Sequence, residues 1–280
     1  MLSIKDHLTI LYYFVDTELH QRPNKAHWRR SNHSQPKLTD AEVITIALMQ
    51  GYFQTPTLKR TYELVRANDP RAFPRLCSYK QWVARLHALA PLIGELFTAV
   101  PVALAELDDL YLMDSQPIPL CHPVRHGRVR LLREEGAYFG KTKKGWFFGF
   151  KLHALVTSTG QLLCAVLTPG NWDDREGARA LAQFPDGEGL CLADWGYSGA
   201  EFSAELWAED ELLVITRADI ADRHQRALHS SVRERIETTF SQLWTRFVTR
   251  SYARSWHGLW NTLKLKMLEL KLCHAGIISA

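Results

Sequence analysis

Apolar residues recur at three- and four-residue spacing through the first hundred positions and at strand-like spacing after about residue 106, so the chain changes character part-way along. Ser3 stands ready to cap a helix through Ile4, Leu8, Leu11, Tyr12, Val15 and Leu19, which Gln21-Arg22-Pro23-Asn24 ends. After a polar basic loop, Thr39-Asp40-Ala41-Glu42 forms a capping box ahead of Val43, Ile44, Ala47 and Leu48. Thr55-Pro56 predicts the start of a third helix through Tyr62 and Val65, and Ser78 the cap of a fourth through Trp82, Leu86 and Leu89.

Beyond residue 106, segments 107–112, 146–156 and 162–167 are rich in aromatic and branched residues and read as three strands, the last broken by Thr168-Pro169-Gly170-Asn171. Helix is expected over 173–184, a buried strand over 189–194, helix over 200–209, strand over 212–216, a long amphipathic helix over 231–247 and a final helix over 259–273. Three neighbouring strands followed by alternating units predict a mixed sheet covered by helices. The fold class is therefore α/β, with an all-α region at 1–100 and a second region at 101–280 that includes the last helix.

Charge follows the same division. Residues 1–100 carry 13 Lys/Arg against 8 Asp/Glu, whereas residues 101–280 carry 21 against 22. Short helices in a basic segment permit a DNA-binding helix-turn-helix, though a small bundle with exposed lysines has the same pattern. Within the second region Arg125, Arg128, Arg130, Arg133, Lys141, Lys143, Lys144 and Lys151 face only Glu134 and Glu135, an excess suited to a polyanion or to a solvated loop. The five cysteines are widely spaced and form no C-x-x-C pair, which excludes a disulfide framework and a standard zinc module. With no secretory h-region and no long uncharged apolar run, a cytoplasmic location is expected.

Two acids stand where apolar runs end: Asp114 after Leu110-Tyr111-Leu112-Met113, and Asp194 after Leu190-Cys191-Leu192-Ala193. Singly, each is an ordinary turn aspartate. On neighbouring strands they would converge, and paired carboxylates repel unless a cation lies between them. Glu237 borders the buried stripe Ile236, Phe240, Leu243 and Phe247 of the long helix and supplies a third candidate; Arg233, four residues earlier, offers it a plain surface ion pair instead. Oxygen ligands of this kind suit Mg²⁺ or Mn²⁺, and two such ions activate a water or hydroxyl and stabilise the leaving oxygen of a phosphodiester.

Other features are weaker. Lys151 and His153 share one strand face, open equally to DNA or to solvent. Trp244, Arg246, Arg250, Tyr252, Arg254, Trp256 and Trp260 interleave rings and cations in a way that suits unpaired bases, or helix packing for at least half of them. Gly140 to Gly145 lacks the Lys-Ser/Thr of a phosphate loop, Gly196-Tyr197-Ser198-Gly199 is no hydrolase elbow, and Cys121-His122 with His126 has no second pair for zinc. Asp173 and Asp174 read as the cap and dipole partner of the following helix.

Six segments in order complete the picture: 38–44 (Leu38-Thr39-Asp40-Ala41-Glu42-Val43-Ile44), Met113-Asp114-Ser115-Gln116-Pro117, Phe148-Gly149-Phe150-Lys151-Leu152-His153, Leu167-Thr168-Pro169-Gly170-Asn171, Ala193-Asp194-Trp195-Gly196-Tyr197 and Arg235-Ile236-Glu237-Thr238. With these the chain resembles the DDE transposases of bacterial insertion sequences, most closely the insertion-sequence-982 family. The resemblance implies a ribonuclease-H-like catalytic fold, Asp114, Asp194 and Glu237 as a triad holding two divalent ions, and Arg233 as the arginine of a Tyr-Arg-Glu-Lys signature. Ser230 stands where that signature has tyrosine and Trp244 where it has lysine, with Arg246 the nearby substitute. The implied reaction is cleavage at element ends and strand transfer into target DNA by a homodimer in a synaptic complex. A related nuclease without strand transfer, or an inactive transposase-derived repressor, has the same outline.

Overall fold

The computed structural model describes residues 2–21, 36–100, 109–143, 145–185, 188–246 and 253–278, with backbone alone for 244–246, and the chain divides into two compact units. The first begins with α1 (Ile4–His20), α2 (Asp40–Tyr52), α3 (Leu58–Asn68), α4 (Tyr79–Ala88) and α5 (Ala90–Ala99). Ser3 caps α1, and the Thr39/Glu42 and Ser78/Gln81 capping boxes start α2 and α4 as the sequence predicts. The third helix starts later than Thr55-Pro56 suggests. Thr57 accepts the Arg60 N–H, while Thr55 is buried and bonded to the Thr61 hydroxyl at 2.6 Å. The helix α5 has no side-chain cap, and Pro91 in its first turn is its one local start signal. Trp82 fixes α4 on α2 by donating to the Val43 carbonyl at 3.1 Å.

The second unit is built on a six-stranded sheet: β1 (Leu110–Pro119), β2 (Tyr138–Thr142), β3 (Gly145–Thr157), β4 (Leu162–Pro169), β5 (Gly189–Ala193) and β6 (Leu212–Thr216). β3 lies antiparallel to β1 along one edge, and β2 and β4 share its other edge end to end. Beyond β1, β5 and then β6 add in parallel. The helices α6 (Asp174–Ala182), α7 (Ala200–Asp210) and α8 (Arg223–Arg246) flank this sheet, which is the ribonuclease-H-like arrangement. Two strand boundaries differ from the pattern. β1 runs on past Asp114 to Pro119, because pairing with β3 continues where the apolar run stops. β2, too short and polar to show a period, forms as a partner for the first residues of β3.

Alternation along the strands assigns the two faces. Tyr111, Met113, Cys191, Ala193 and Val214 pack with Leu181 of α6 and Phe202 and Leu206 of α7 in one core. Leu112, Asp114 and Asp194 belong to the opposite face, where α8 lies. That helix is held by Thr239 Oγ1 donating to the Gly160 carbonyl at 2.7 Å, by Arg235 Nη1 donating to the Ser158 carbonyl at 2.5 Å, and by His229 Nε2 donating to the Ile215 carbonyl at 3.3 Å. Gly160 has φ +90°, and it closes the β3–β4 turn tightly enough for α8 to rest on its carbonyl.

The last helix, α9 (Trp256–His274), is grouped with the second region by sequence order, yet its buried residues Leu265, Leu268 and Leu272 lie in the core of the first unit. Lys264 and Lys271 donate to the carbonyls of Ala90 and Phe97 in α5 at 2.9 and 3.1 Å. Among the described residues no helix is long and apolar enough to cross a membrane.

The anchoring of α8 can be tested at one atom. Thr239→Val removes the hydroxyl donor but keeps the shape and is expected to lower unfolding free energy by about 1–2 kcal/mol. Thr238→Val, at an exposed neighbour, should leave it nearly unchanged. Urea unfolding of the two variants checks the difference.

Candidate active site

The parallel ladder between β1 and β5 pairs Leu110 with Leu190, Tyr111 with Cys191 and Leu112 with Leu192. Carried forward by two residues, that register sets Asp114 beside Asp194. The two acids the sequence marks out are thus brought together on the α8 face, at the point where the β1–β5 ladder ends. Between them stands Arg233 of α8: its Nη2 lies 3.4 Å from Asp114 Oδ2 and its Nη1 3.5 Å from Asp194 Oδ1. The Arg233 side chain is only 13% exposed and that of Asp114 22%, while that of Asp194 is half exposed. Arg233 therefore makes no simple surface pair with Glu237; it bridges the two acids. Glu237 is exposed one helical turn further along α8.

The electrostatics follow from this packing. Burial pushes the Asp114 carboxyl up to about 6; the Arg233 guanidinium and the Ser115 N–H pull it the other way, and Asp194 and Asp174 add to the rise. The Ser115 backbone N–H donates to Asp114 Oδ1 at 2.8 Å, which fixes the carboxylate plane. As a donor set for a hard divalent cation, Asp114 and Asp194 fit in kind: only oxygens, adjacent, and sharing one positive charge. The third acid is not joined to them. Among the described residues no group of three His, Cys, Asp or Glu side chains is placed to hold a metal ion.

On the other face of the sheet a polar network backs the acids. Lys151 Nζ donates to Asp174 Oδ1 at 2.9 Å and to the Trp172 carbonyl at 2.8 Å, and the ammonium-bearing side chain is 16% exposed. His153, predicted to share a face with Lys151, does so, but the face is covered by α6 and the ring is fully buried. Its Nε2 bonds Thr168 Oγ1 at 2.8 Å, and its Nδ1 lies 3.4 Å from the Tyr197 hydroxyl. Burial, and to a lesser degree Lys151, hold His153 down to about 4 against the pull of Asp174, so it is neutral at pH 7. Burial pushes the Tyr197 hydroxyl well up, with Asp174 and Asp114 acting in the same direction. Both strand residues proposed as DNA contacts thus have interior partners.

The remaining basic candidates are spread out. Lys141 is exposed, its Nζ lying 5.8 Å from the Trp146 ring centroid; Lys143 and Arg125 are exposed as well. Lys144, Arg250 and Tyr252 lie outside the described residues, as do the side chains of Trp244 and Arg246. Trp256 and Trp260 stack at 6.4 Å, with Lys264 over the second ring. Asp173 and Asp174, expected to serve as the cap and dipole partner of this helix, have separate tasks. Asp173 caps α6 by accepting the Arg175 N–H at 3.0 Å, whereas Asp174 reaches across to Ser115 and Lys151.

The Asp114 shift has a definite sign. A carboxyl raised from 3.8 to about 6 stabilises the fold in its neutral form; that contribution is complete below the unfolded value and is lost as pH climbs through 6. At about 1.4 kcal/mol per unit, ionised Asp114 costs the metal-free fold at most about 3 kcal/mol at pH 8, and less for its partial exposure. Asp114→Asn is expected to melt above the parent at pH 8 in chelator, the gap closing toward pH 4. Thermal melts across that range check it; a gap that does not change with pH would mean that the carboxyl is not desolvated in the folded chain.

Residues 104–248, just over half of the chain, match the family described as Transposase DDE domain. No curated protein and no solved structure matches at a significant level. The matched stretch takes in the sheet, Asp114, Asp194, Arg233 and Glu237 together. On that match, and with the two strand acids side by side under a ribonuclease-H-like topology, the chain belongs to the Transposase DDE domain family.

Proposed function

We propose that this chain is the transposase of a bacterial insertion sequence, most similar to the insertion-sequence-982 family, which cuts phosphodiester bonds at the element's ends and joins the freed 3′ hydroxyl to target DNA. The observation that carries the reading is the register of β1 on β5, which sets two carboxylates side by side in a transposase DDE domain. Asp114, Asp194 and Glu237 would hold two Mg²⁺ or Mn²⁺ ions, which when bound supply an activated water or hydroxyl and stabilise the leaving oxygen.

The chain's own groups do the rest. The Ser115 N–H orients the Asp114 carboxylate, and Arg233 brings a positive charge to the point where a phosphate approaches. Glu237 follows Arg233 by one turn and so rises on the same side of α8. Exposed Arg125, Lys141 and Lys143, with Lys144 and Arg246, supply backbone contacts to the two DNA ends, which a homodimer brings together. Lys151 and His153 serve the same site from beneath rather than by touching DNA.

Labelled duplexes taken from the DNA flanking the coding sequence test the proposal. With Mg²⁺ the parent is expected to nick them and to form joined products with a target duplex; Asp114→Asn and Asp194→Asn should each lower the rate by roughly two to three orders of magnitude. Undiminished cleavage by either variant would remove the acid pair from the reaction, and nicks without joined products would reassign the chain to simple hydrolysis.

A further inference from the structure

The hydrogen bonds between β1 and β5 stop at the Leu112–Leu192 pair, two residues short of Asp114 and Asp194. No ladder pairing therefore joins the strands at the level where the acids sit. Arg233 spans that gap on one face. On the other, Asp174, from the first turn of α6, bonds Ser115 of β1 and lies against Gly196 in the turn that follows β5, and the Tyr197 hydroxyl of that turn also meets Ser115.

The two carboxylate oxygens of Asp174 have different neighbours. Oδ1 accepts from Ser115 Oγ at 3.0 Å and from Lys151 Nζ at 2.9 Å. Oδ2 lies so close to Gly196 that a Cβ built there would stand 2.9 Å from it. Ser115 directly follows Asp114 and donates its backbone N–H to that carboxylate; Gly196 follows Asp194 by two residues in the turn Trp195–Tyr197. One carboxylate thus sets the segment after the first acid against the segment after the second. Lys151, held also by the Trp172 carbonyl, fixes the carboxylate's own position, and the Tyr197 hydroxyl lies beside the same cluster. Strand alternation puts Ser115 and Lys151 on the face that α6 covers, and Asp174 reaches them from that helix, so it does not touch the reacting atoms.

We propose that Asp174 is a positioning residue that keeps Asp114 and Asp194 at their working separation by clamping Ser115 and Gly196 together beneath the sheet. This rests on the assignment of Asp114 and Asp194 as the reacting pair. It gives Lys151 a definite task, as the cation that lets a third carboxylate sit beside two others. It also explains a glycine: Gly196 has no positive φ to demand one, so the space it leaves is the space Asp174 uses.

The test is a double-mutant cycle of Asp174→Ala and Gly196→Ala, with Asp174→Asn alongside, read as single-turnover cleavage of a flanking-DNA duplex in Mg²⁺ and as affinity for that duplex in chelator. Displacement of about an ångström at a reacting centre costs roughly a hundredfold, so Asp174→Ala is expected to slow cleavage by that order while binding stays within about twofold. Gly196→Ala should slow cleavage in the same direction but by less, since its methyl pushes the carboxylate away by a few tenths of an ångström. The double variant should be no slower than the worse single one. Asp174→Asn, which keeps an oxygen for Ser115, should retain more activity than Asp174→Ala. Multiplying effects, unchanged rates, or equal losses of binding and cleavage would overturn the clamp. Should the parent itself fail to cut DNA, the functional assignment falls, but non-additive melting temperatures of the same four metal-free chains still decide whether Asp174 and Gly196 act as one contact; additive shifts would refute it.

Discussion

Two carboxylates on neighbouring strands repel, and the second unit is organised around the charge that reconciles them. Arg233 reaches Asp114 and Asp194 at similar distances, and it can do so only because α8 is set across the sheet by Thr239, Arg235 and His229. The register of β1 on β5 fixes where the repulsion arises, and the path of α8 fixes where the compensating charge arrives. Shift either by one residue and an acid turns to the other face or the arginine misses it. Register and helix placement are in this sense one constraint.

The same arrangement shows how a site can be stable in its surroundings and costly in itself. Leu112 and Met113, fully buried, anchor β1 immediately before the acid, while Asp114 is held with its ionised form disfavoured. Buried apolar neighbours supply the stability that this position withdraws. Neutral His153 and un-ionised Tyr197 beneath the sheet add polar groups without further charge beside the ion pair of Lys151 and Asp174.

Much of this was legible in the residues. Asp114 and Asp194 stand out because each ends an apolar run, and the capping boxes at Thr39 and Ser78 are local chemistry that tertiary structure leaves intact. What escaped was whatever depends on a distant partner. Arg233 looks like the i−4 partner of Glu237, yet it pairs with Asp114, 119 residues away. Asp173 and Asp174 carry the same local signal, and only the sheet distinguishes the one that caps from the one that crosses. The face shared by Lys151 and His153 is correct from the two-residue period, but a strand does not say which helix covers it. β2 lacks any pattern of its own, being shaped by β3, while α5 carries only Pro91 and the short stripe Leu92, Ile93 and Leu96 and has no capping side chain to mark its start.

The placement of α9 bears on how the molecule is made. Leu265, Leu268 and Leu272 of α9, with Ile278 after it, complete a core whose other members precede residue 101, so the helical unit is discontinuous in sequence and the sheet unit is inserted within it. During synthesis the inserted unit is available whole while the helical one still lacks its final layer, reversing the usual order in which the first-made domain folds first. Until α9 emerges, the apolar faces of α2 and α5 that it covers remain open to water, and the basic helical half of the protein reaches its finished form last.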